Sequence, residues 1–337
     1  MSERIMVGLS GGVDSAVAAY LLQKQGYEVA GATFRMTDDW DGAEDAKKVA
    51  DFLKIPHYVF DFRTLFKDKV LEDFAEEYRK GRTPNPCVRC NQYLKFPAFL
   101  EKAEELGYGL IATGHYARTD GTSVYRAKDH AKDQSYMMYH LTKEMIPHLR
   151  FPLAELSKEE IRAIAEEAGL PVAHKPDSQD ICFIPDGDTQ GYLERVIGAM
   201  PHGNFVDKDG KILGEHGGIC RYTIGQRKGL GLSLPEPLYV GAIDPERNEV
   251  RLVKNEELFT TRLTVRDFNW IEGAPDLPIR VTCKIRYAHQ PAPAMAGTFL
   301  KDDQAVIVFD EPQRAVTAGQ SAVIYDGEKL LGGGVIR

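Results

Sequence analysis

A six-residue segment near the amino terminus, residues 10–15 (SGGVDS), constrains the fold more than any other part of the sequence. The preceding residues 4–9 (RIMVGL) have the unbroken apolar character of a buried strand. Residues 13–25 place apolar side chains at helical spacing, and Gly26 is suited to end that helix. A strand that passes through a glycine-rich turn directly into a helix is the first unit of a parallel α/β sheet.

Strand and helix patterns continue to alternate through the first half of the chain. Apolar runs at residues 29–34, 57–60 and 110–113 predict further strands, and the longer segments between them show helical periodicity. Short loops between alternating strands and helices are typical of a parallel sheet with helices on both faces. We therefore predict an α/β domain at residues 1–200.

The character of the sequence changes after residue 200. The remaining chain is rich in Gly, Pro, Val and Thr, and its apolar residues occur in short alternating runs typical of strands. We predict two mainly-β modules here, a small β-rich central module at residues 201–256 and a C-terminal β-barrel at residues 257–337.

The overall charge and the cysteine content exclude several classes of protein. The 337-residue chain carries a formal net charge of −8, which argues against a protein that coats nucleic acid by bulk charge but allows a local basic face. Five cysteines are too few, and odd in number, for a secreted disulfide framework. No window reaches the ~20 apolar residues of a membrane span, and the first residues lack a signal-peptide pattern. We expect a soluble cytoplasmic protein that does not contact membranes.

The segment at residues 10–15 has the chemistry of a phosphate-binding turn. Glycines let the backbone approach phosphate oxygens closely, and the helix amino terminus that follows presents free N–H groups and a partial positive charge. Ser10 and Ser15 add hydroxyl donors, and the lack of a Lys-Ser or Lys-Thr pair excludes a Walker A loop. The alternative is an ordinary glycine-rich turn. The complete segment, placed after a first strand, favours nucleotide binding.

Two cysteines lie three residues apart in the segment at residues 83–91 (TPNPCVRCN). Its two prolines stiffen the backbone, and we predict a shaped loop rather than a helix or a strand. The surrounding residues 79–95 contain no acid, so we expect reactive thiolates and an attraction for RNA phosphate. The five basic residues of this stretch are Arg79, Lys80, Arg82, Arg89 and Lys95. The alternative is a structural zinc half-site, which is disfavoured because tetrahedral zinc commonly uses two such cysteine pairs.

Seven short motifs occur along the chain in order: SGGVDS, TPNPCVRCN, ATGHY, KDQSY, DSQDICF, YTIGQRKGL and RYAHQPAPA. Together they closely resemble the tRNA-specific 2-thiouridylase family, and the resemblance extends from residue 8 to at least residue 320. SGGVDS alone indicates only the PP-loop superfamily of ATP pyrophosphatases, whereas the ordered set is highly specific. The resemblance implies an adenine-nucleotide α-hydrolase-like fold for the α/β domain. It also implies 2-thiouridine at the wobble position of tRNA as the product.

The resemblance implies ATP with Mg²⁺, cleaved between the α- and β-phosphates so that AMP is transferred to a substrate oxygen. Asp14 would help to hold Mg²⁺ or to order the loop, and Phe34 would border the adenine. Gly114 follows a predicted strand at the sheet edge where ligands of open α/β sheets bind. The implied ATP-binding residues are Gly8, Leu9, Ser10, Gly11, Gly12, Val13, Asp14, Ser15, Phe34 and Gly114.

The resemblance makes Cys182 the persulfide carrier and Cys90 its partner nucleophile. Adenylation of the uridine C2 oxygen releases pyrophosphate and turns that oxygen into a leaving group. The terminal persulfide sulfur then attacks C2, directly or after release as hydrosulfide, and a Cys90–Cys182 disulfide remains to be reduced. Asp180 is expected near the site as an orienter or a general acid/base. A cysteine desulfurase or a sulfur-relay protein would be the persulfide donor.

Cys87 adds a third thiol to this pair and leaves a second mechanism open. Members of the family often carry a different residue at this position. Cys87, Cys90 and Cys182 could together hold a four-iron iron–sulfur cluster with one open iron for hydrosulfide. The sequence does not separate the two mechanisms, and we favour the persulfide–disulfide route.

The target uridine must leave the anticodon stack before its C2 can be attacked. By resemblance, Asn85, Pro86 and Cys87 contact the target base. The further implied tRNA contacts are His115, Lys132, Asp133, Gln134, Arg286, Tyr287 and Gln320. Candidate phosphate contacts in the central module are Arg221, Arg227 and Lys228. The alternative for each cation is a solvated surface charge, and for His115 a core or capping histidine.

We expect the protein to be a monomer. Two rival functions remain open. Another PP-loop adenylating tRNA-modifying ligase would have no need of Cys90 or Cys182. A non-catalytic metal- and RNA-binding protein would release no pyrophosphate with tRNA, and an ATP loop would serve no purpose in it.

Overall fold

The structure is a computed structural model that describes residues 3–38, 42–176, 181–301 and 304–337. Its α-helices are α1 Val13–Lys24, α2 Gly42–Leu53, α3 Arg63–Phe66, α4 Glu72–Arg79, α5 Pro86–Cys90, α6 Phe99–Glu105, α7 Lys158–Glu167 and α8 Thr189–Ile197. Its strands are β1 Arg4–Gly8, β2 Glu28–Arg35, β3 His57–Asp61, β4 Leu110–Ala112, β5 Ala117–Thr119, β6 Val124–Arg126, β7 Leu149–Arg150, β8 Gly203–Val206, β9 Ile212–His216, β10 Tyr239–Asp244, β11 Glu249–Val253, β12 Phe259–Trp270, β13 Ile279–Lys284, β14 Ala292–Lys301, β15 Gln304–Arg314, β16 Ser321–Asp326 and β17 Lys329–Ile336.

A parallel sheet with the strand order β3-β2-β1-β4-β7 forms the centre of the first domain. The chain runs outward from β1 to β3 on one side, and later from β4 to β7 on the other. The carboxyl ends of β1 and β4 therefore flank a topological switch point, which is where open α/β sheets bind ligands. The predicted α/β class is confirmed.

Both faces of this sheet are covered, because successive side chains of a strand point to opposite sides. Ile5 and Val7 of β1 pack with α1, α2 and α7 in one apolar cluster. Met6 belongs to a cluster on the other face, which contains residues of α6 together with Val323 and Leu330 from the C-terminal strands. The last module of the chain therefore completes the core of the first.

Two helical runs each contain a π-helix with wider turns. Lys67–Leu71 joins α3 to α4, and Asn91–Ala98 joins α5 to α6. The sequence pattern predicts single helices at residues 65–78 and 93–106, which matches the first run closely, but the second run begins earlier, at Pro86. Pro97 lies inside the second π-helix, where a proline lacks the N–H that a regular helix uses.

The remainder of the chain forms two β modules, as predicted. The central module is a sheet in the order β10-β11-β8-β9. In the C-terminal module the order β12-β15-β14-β13-β16-β17 closes on itself through the pairing of β12 with β17, which makes a barrel. The hairpin β5–β6 of the first domain extends this sheet, since Tyr125 of β6 pairs with Lys329 of β17.

None of the helices in the described ranges combines the length and the apolar character that a bilayer span requires.

Candidate active site

The nucleotide loop leaves β1 and turns through Gly11 and Gly12 into α1. Gly11 has a φ of 75°, and a Cβ there would lie 2.8 Å from the carbonyl oxygen of Gly42, so only glycine fits. Ser15 Oγ donates to the carbonyl oxygen of Gly12 (3.1 Å) and accepts from the amide of Ser10 (3.1 Å). These hydrogen bonds hold the turn in its shape without a ligand.

The amino terminus of α1 has the features of an anion site. Within the described residues, no side chain caps the helix at its N-cap Gly12, so the N–H groups of its first turn keep their capacity to donate. The side chains of Leu9 and Val13 are buried in the core. These two residues can therefore contact a nucleotide only through their backbone.

Two donors hold the Asp14 carboxylate. The Tyr116 hydroxyl donates to its Oδ1 at 3.0 Å, and the Lys158 ammonium donates to the same oxygen at 2.6 Å. These contacts fit the expected role of Asp14 in ordering the loop, and its role in holding Mg²⁺ stays a prediction. Lys158 was not singled out from the sequence, because its SKEE segment matches an ordinary helix start, and Ser157 indeed caps α7.

Phe34 and Gly114 lie at the same sheet edge as the loop. A Cβ on Gly114 would come within 2.8 Å of the Ser15 amide nitrogen, and a Cβ on Gly8 would lie 3.5 Å from the Phe34 ring. Phe34 packs edge-on against Phe99, with ring centroids 4.8 Å apart. The structure thus brings the predicted ATP-binding residues together, and their contact with ATP stays a prediction.

Cys87 and Cys90 lie on a helix, so the predicted loop is wrong. Asn85 is the N-cap of α5, and its Oδ1 accepts a hydrogen bond from the amide of Cys87 (3.1 Å). Pro86 occupies the first helical turn, where its missing N–H leaves no helix bond unmade and its fixed φ suits the helix. The second proline therefore starts a helix rather than preventing one.

Cys90 is buried beside the nucleotide edge. It is 5% exposed, and its Sγ lies 4.0 Å from the Sδ of Met36, which follows β2. Its apolar cluster also includes Phe34 and Phe183, the latter adjacent to Cys182. Burial raises the pKa of Cys90 to about 12, and the charge of Lys95 opposes this shift. The expected thiolate at Cys90 is therefore wrong for this conformation, because the thiol is protonated at neutral pH.

The basic residues around the cysteines are mostly neutralised by acids of the preceding helix α4, which lie outside the acid-free stretch. The ion pairs are Arg79–Glu76 (3.3 Å), Lys80–Glu76 (3.1 Å), Arg82–Glu77 (3.2 Å) and Arg89–Asp73 (3.2 Å). Lys95 alone of the five makes no ion pair with a described residue. The basic field expected from the sequence is thus reduced to one cation.

Lys95 lies among the three thiols. Burial lowers the pKa of its ammonium, but Cys90, Cys87 and Cys182 together raise it more, so the net shift is upward. Lys95 follows Cys90 by five residues, and the π-helix of Asn91–Ala98, with its i to i+5 hydrogen bonds, brings that spacing onto one face. Cys182 is exposed; the surrounding protein raises the pKa of its thiol, and Lys95 again opposes the shift.

The described residues contain no group of three or more His, Cys, Asp or Glu side chains placed to hold a metal ion. Cys87, Cys90 and Cys182 are all described, and all are free thiols. Their arrangement in this conformation does not fit a shared iron–sulfur cluster.

The Asp133 side chain is engaged within the protein, and the tRNA contact that the resemblance implies for this residue stays a prediction. Its side chain is 0% exposed and pairs with the buried Arg126 at 3.3 Å. It also accepts from the amides of Ala127 and Ser135, both at 3.1 Å. Gln134 is half-buried, and its Oε1 accepts from the amide of Tyr116. In this structure the side chains of Asp133 and Gln134 stabilise the fold.

His115 is buried at 8% exposure, with its Nδ1 2.8 Å from the Thr113 hydroxyl. Burial, and then the charge of Lys95, holds the pKa of His115 well below its usual value, so the imidazole is neutral. Its ring lies 5.7 Å from that of Phe96, next to Lys95 on the π-helix. His115 is thus a buried core histidine, as the alternative expects, and it also lies close to the thiol site.

The predicted tRNA contacts of the C-terminal barrel are engaged within the protein. Arg286 donates to the Thr317 hydroxyl at 2.7 Å, and Gln320 donates to the carbonyl oxygen of Thr83 at 2.7 Å. Tyr287 is half-buried against Tyr136, with ring centroids 6.2 Å apart. Whether these residues also contact tRNA stays a prediction.

The remaining candidates are spread over two regions. Arg221 pairs with Glu194 of α8, whereas Arg227 and Lys228 are exposed on the central module. Lys132 is half-buried. Asp180 lies outside the described residues.

Three family models match the chain. The tRNA methyl transferase HUP domain matches residues 3–186, the tRNA methyl transferase PRC-barrel domain residues 190–254, and the Aminomethyltransferase beta-barrel domain residues 260–336. These matches follow the same order as the α/β domain, the central sheet and the barrel of the structure.

Curated relatives match this chain over nearly its whole length. The tRNA-specific 2-thiouridylase MnmA of Clostridium botulinum strain Alaska E43 is 48% identical over 99% of this chain and 98% of its own length. The protein of that name from Clostridioides difficile strain 630 is 44% identical over 100% of this chain and 98% of its own length. The structure of NMN synthetase from Francisella tularensis is 18% identical, with a TM-score of 0.35, and covers 58% of this chain and 78% of that one.

The parallel α/β sheet with an SGGVDS loop at its switch point defines a PP-loop protein. The two β modules after it, and the full-length identity to curated relatives, narrow this class to one family of enzymes. The chain belongs to the tRNA-specific 2-thiouridylase family.

Proposed function

We propose that this chain is an ATP-dependent tRNA sulfurtransferase that forms 2-thiouridine at the wobble uridine. The observation that carries the proposal is the adjacency of two kinds of chemistry at one sheet edge. The nucleotide loop leaves β1 beside Phe34, and the Cys90 thiol packs in the same apolar cluster as Phe34 and Met36. Full-length relatives carry the name tRNA-specific 2-thiouridylase, which supports the same substrate and product.

The first step is adenylation of the uridine. The loop and the free amino terminus of α1 bind the phosphates of ATP, and Lys158 with Tyr116 keeps Asp14 in place. The C2 oxygen of uridine attacks the α-phosphorus, and the bond to the β-phosphate oxygen breaks, so pyrophosphate leaves. The C2 oxygen then carries AMP and becomes a good leaving group.

The second step transfers sulfur. A persulfide on Cys182 attacks C2, AMP leaves with the oxygen, and the sulfur joins uridine to Cys182 through a disulfide bond. The Cys90 sulfur attacks the Cys182 sulfur, the electron pair of the broken S–S bond moves to the sulfur on C2, and the proton of Cys90 passes to the 2-thiouridine product. The products are 2-thiouridine and a Cys90–Cys182 disulfide, which a thiol reductant returns to two thiols.

The exposure of the two thiols suits their separate roles in this scheme. Cys182 is exposed, where a cysteine desulfurase or a relay protein can deliver its sulfur. Cys90 is buried and protonated, which protects it from reagents until substrate engages the site.

The test is a reaction of purified protein with unmodified tRNA, ATP and a persulfide donor, followed by mass spectrometry of the nucleosides. We expect 2-thiouridine and one pyrophosphate per product, and loss of product in Cys90→Ser and in Cys182→Ser. Cys220→Ala is the matched control, since this thiol lies in the apolar cluster of α8 and serves no step. Product formation that survives both serine variants would identify a plain adenylating ligase.

The same assay separates the other rivals. A methylated nucleoside instead of a thiolated one would favour the methyl transfer that the family-model descriptions mention. No pyrophosphate release with tRNA would indicate a binding protein. Because the three thiols are not arranged as cluster ligands in this conformation, we expect iron-free protein to be active, and we expect the activity of Cys87→Ser not to depend on iron. Iron-dependent activity that disappears in Cys87→Ser would instead establish the cluster mechanism.

A further inference from the structure

Residues 81–84, here called the junction segment, connect α4 to the thiol helix α5 and touch both β modules. The Thr83 amide donates to the carbonyl oxygen of Ala318 in the barrel at 2.9 Å. The Thr83 carbonyl oxygen accepts from Gln320 Nε2 at 2.7 Å. The Thr83 hydroxyl lies 3.1 Å from that of Thr223 in the central module. Both backbone groups of one residue are thus paired with the barrel.

The barrel approaches this segment so closely that a side chain is excluded. Gly319 has a φ of 90°, and a Cβ there would lie 2.9 Å from the Thr83 nitrogen and 3.0 Å from the Arg82 Cβ. On the other side, a Cβ on Gly81 would lie 2.5 Å from the Cγ2 of Ile243 in the central module. The junction segment is therefore held between the two modules on both sides.

A buried ion network adds a third attachment. Glu77 of α4 has a side chain only 9% exposed and lies 3.2 Å from Arg82 and 3.0 Å from Arg266 of β12. Removing either arginine would leave a buried carboxylate with half of its compensation, so the network resists relative movement of α4 and the barrel.

The junction segment lies immediately before the thiol helix α5. Asn85, the N-cap of α5, is two residues after Thr83, and the intervening Pro84 and the following Pro86 restrict the backbone between them. Cys90 is the last residue of α5, about one turn after Pro86, and the π-helix Asn91–Ala98 follows it directly. Because the backbone between Thr83 and Cys90 is restricted, a displacement of Thr83 shifts α5 and changes the position of Cys90.

We propose that Gln320 and Gly319 are positioning residues for the thiol chemistry: they hold Thr83 and thereby fix where α5 places Cys90. The link to sulfur transfer rests on the proposed function, whereas the positioning itself is a property of the free protein. This role differs from the tRNA contact that the family resemblance implies for Gln320, since here its amide donates to Thr83. In the absence of tRNA, only the positioning role predicts that changes at Gln320 alter the reactivity of Cys90.

The test measures alkylation of individual cysteines by mass spectrometry in the full-length protein without ATP or tRNA. Gln320→Met keeps the length of the side chain and removes the hydrogen-bond donor to Thr83. Gly319→Ala places a Cβ against Thr83 and so separates the barrel from the junction segment. We expect Cys90 to react about fivefold faster in Gln320→Met, the factor set by one ordinary hydrogen bond, and faster still in Gly319→Ala. Cys283, fully buried in the barrel, is the internal control and should keep its rate.

Gln304→Met is the matched control variant, because Gln304 is a barrel glutamine whose hydrogen bond, to Arg337 at 3.0 Å, stays within the barrel. It should leave Cys90 at the wild-type rate. An unchanged Cys90 rate in both Gln320→Met and Gly319→Ala would overturn the proposal, and weaker tRNA binding by Gln320→Met, measured as a raised Kd, would then leave Gln320 a tRNA contact. Equal acceleration of Cys90 and Cys283 would also overturn it, since that result indicates general loosening. None of these readouts requires sulfur transfer, so failure of the proposed function leaves them interpretable.

Discussion

At the scale of single residues, the balance between burial and one charge governs the thiol site. Burial is the larger effect on Cys90 and keeps it protonated, and Lys95 acts in the opposite direction. The sequence shows five cations around the cysteines, and it could not show that α4 would pair with four of them. Lys95 is distinguished from the others only by the π-helix, for which the sequence gives no clear signal.

Replacing Lys95 with methionine should make Cys90 less reactive. In the wild type, the alkylation rate should rise about tenfold per pH unit below the pKa, because the thiolate fraction does. Removal of the ammonium raises the pKa of Cys90 further, so the rate at any given pH falls. The measurement is iodoacetamide labelling against pH, with Lys102→Met as the control, since Lys102 is exposed and paired with Glu105. Equal rates in Lys95→Met and the wild type would contradict this assignment.

Deprotonation of Cys90 should make the folded state less stable at alkaline pH. The pKa of Cys90 is raised from 9.0 to about 12 in the folded state. Between these values the folded state binds more protons than the unfolded state, so the free energy of unfolding falls as the pH rises. Cys90→Ala removes this contribution, and its stability should decline less steeply above pH 9. Denaturant unfolding of both proteins from pH 8 to about 10.5 measures the difference in slope; parallel curves would show that Cys90 does not titrate as described.

At the scale of elements, local sequence signals predicted the class of most segments and missed the one that carries the thiols. Strands β1 to β4 of the parallel sheet follow from short-range apolar patterns, whereas the two-residue strand β7 was not predicted. The capping box of Ser157 and Glu160 is likewise a local pattern that the structure contains. The segment TPNPCVRCN was predicted as a loop because of its prolines. Its outcome depends on whether Pro86 falls inside a helix or in its first turn, which the N-cap hydrogen bond of Asn85 decides.

Asn85 should have two separable functions in this helix. Asn85→Ala removes the cap of α5 and should lower the free energy of unfolding by about 1 kcal/mol. Asn85→Asp keeps an acceptor for the Cys87 amide and should retain stability, but it loses the amide donor that the proposed contact with the uracil edge uses. We therefore expect Asn85→Asp to fold like the wild type and to form less 2-thiouridine. Normal product formation by Asn85→Asp would exclude that contact.

At the scale of the whole molecule, residues that resemblance assigns to tRNA also hold the domains together. Asp133 pairs with Arg126 in the interior, and Ser135 beside it lies 3.2 Å from the Tyr325 hydroxyl of the barrel. Motif matching finds such residues but does not separate the two roles, because a motif carries no information on burial. The structure shows that the Asp133 side chain is buried and bonded to Arg126, Ala127 and Ser135 of the first domain.

Asp133→Ala should therefore impair folding rather than tRNA affinity. It leaves Arg126, which is 8% exposed, with only the more distant Glu328 at 3.7 Å, and should lower the free energy of unfolding by about 3 kcal/mol. Chemical denaturation measures this change, and the exposed pair variant Lys102→Ala should stay within about 0.5 kcal/mol of the wild type. Full stability combined with weakened tRNA binding would restore the contact role.

The hairpin β5–β6 has a consequence for the order of events during synthesis. It joins the barrel sheet through Tyr125 and Lys329, so the strand that pairs with it is synthesised about 200 residues later. At about 5–20 residues per second, a ribosome takes roughly 10–40 s to supply that partner. Throughout this interval the nascent chain displays an open strand edge. An open edge of this kind can pair with other chains until β17 has been synthesised.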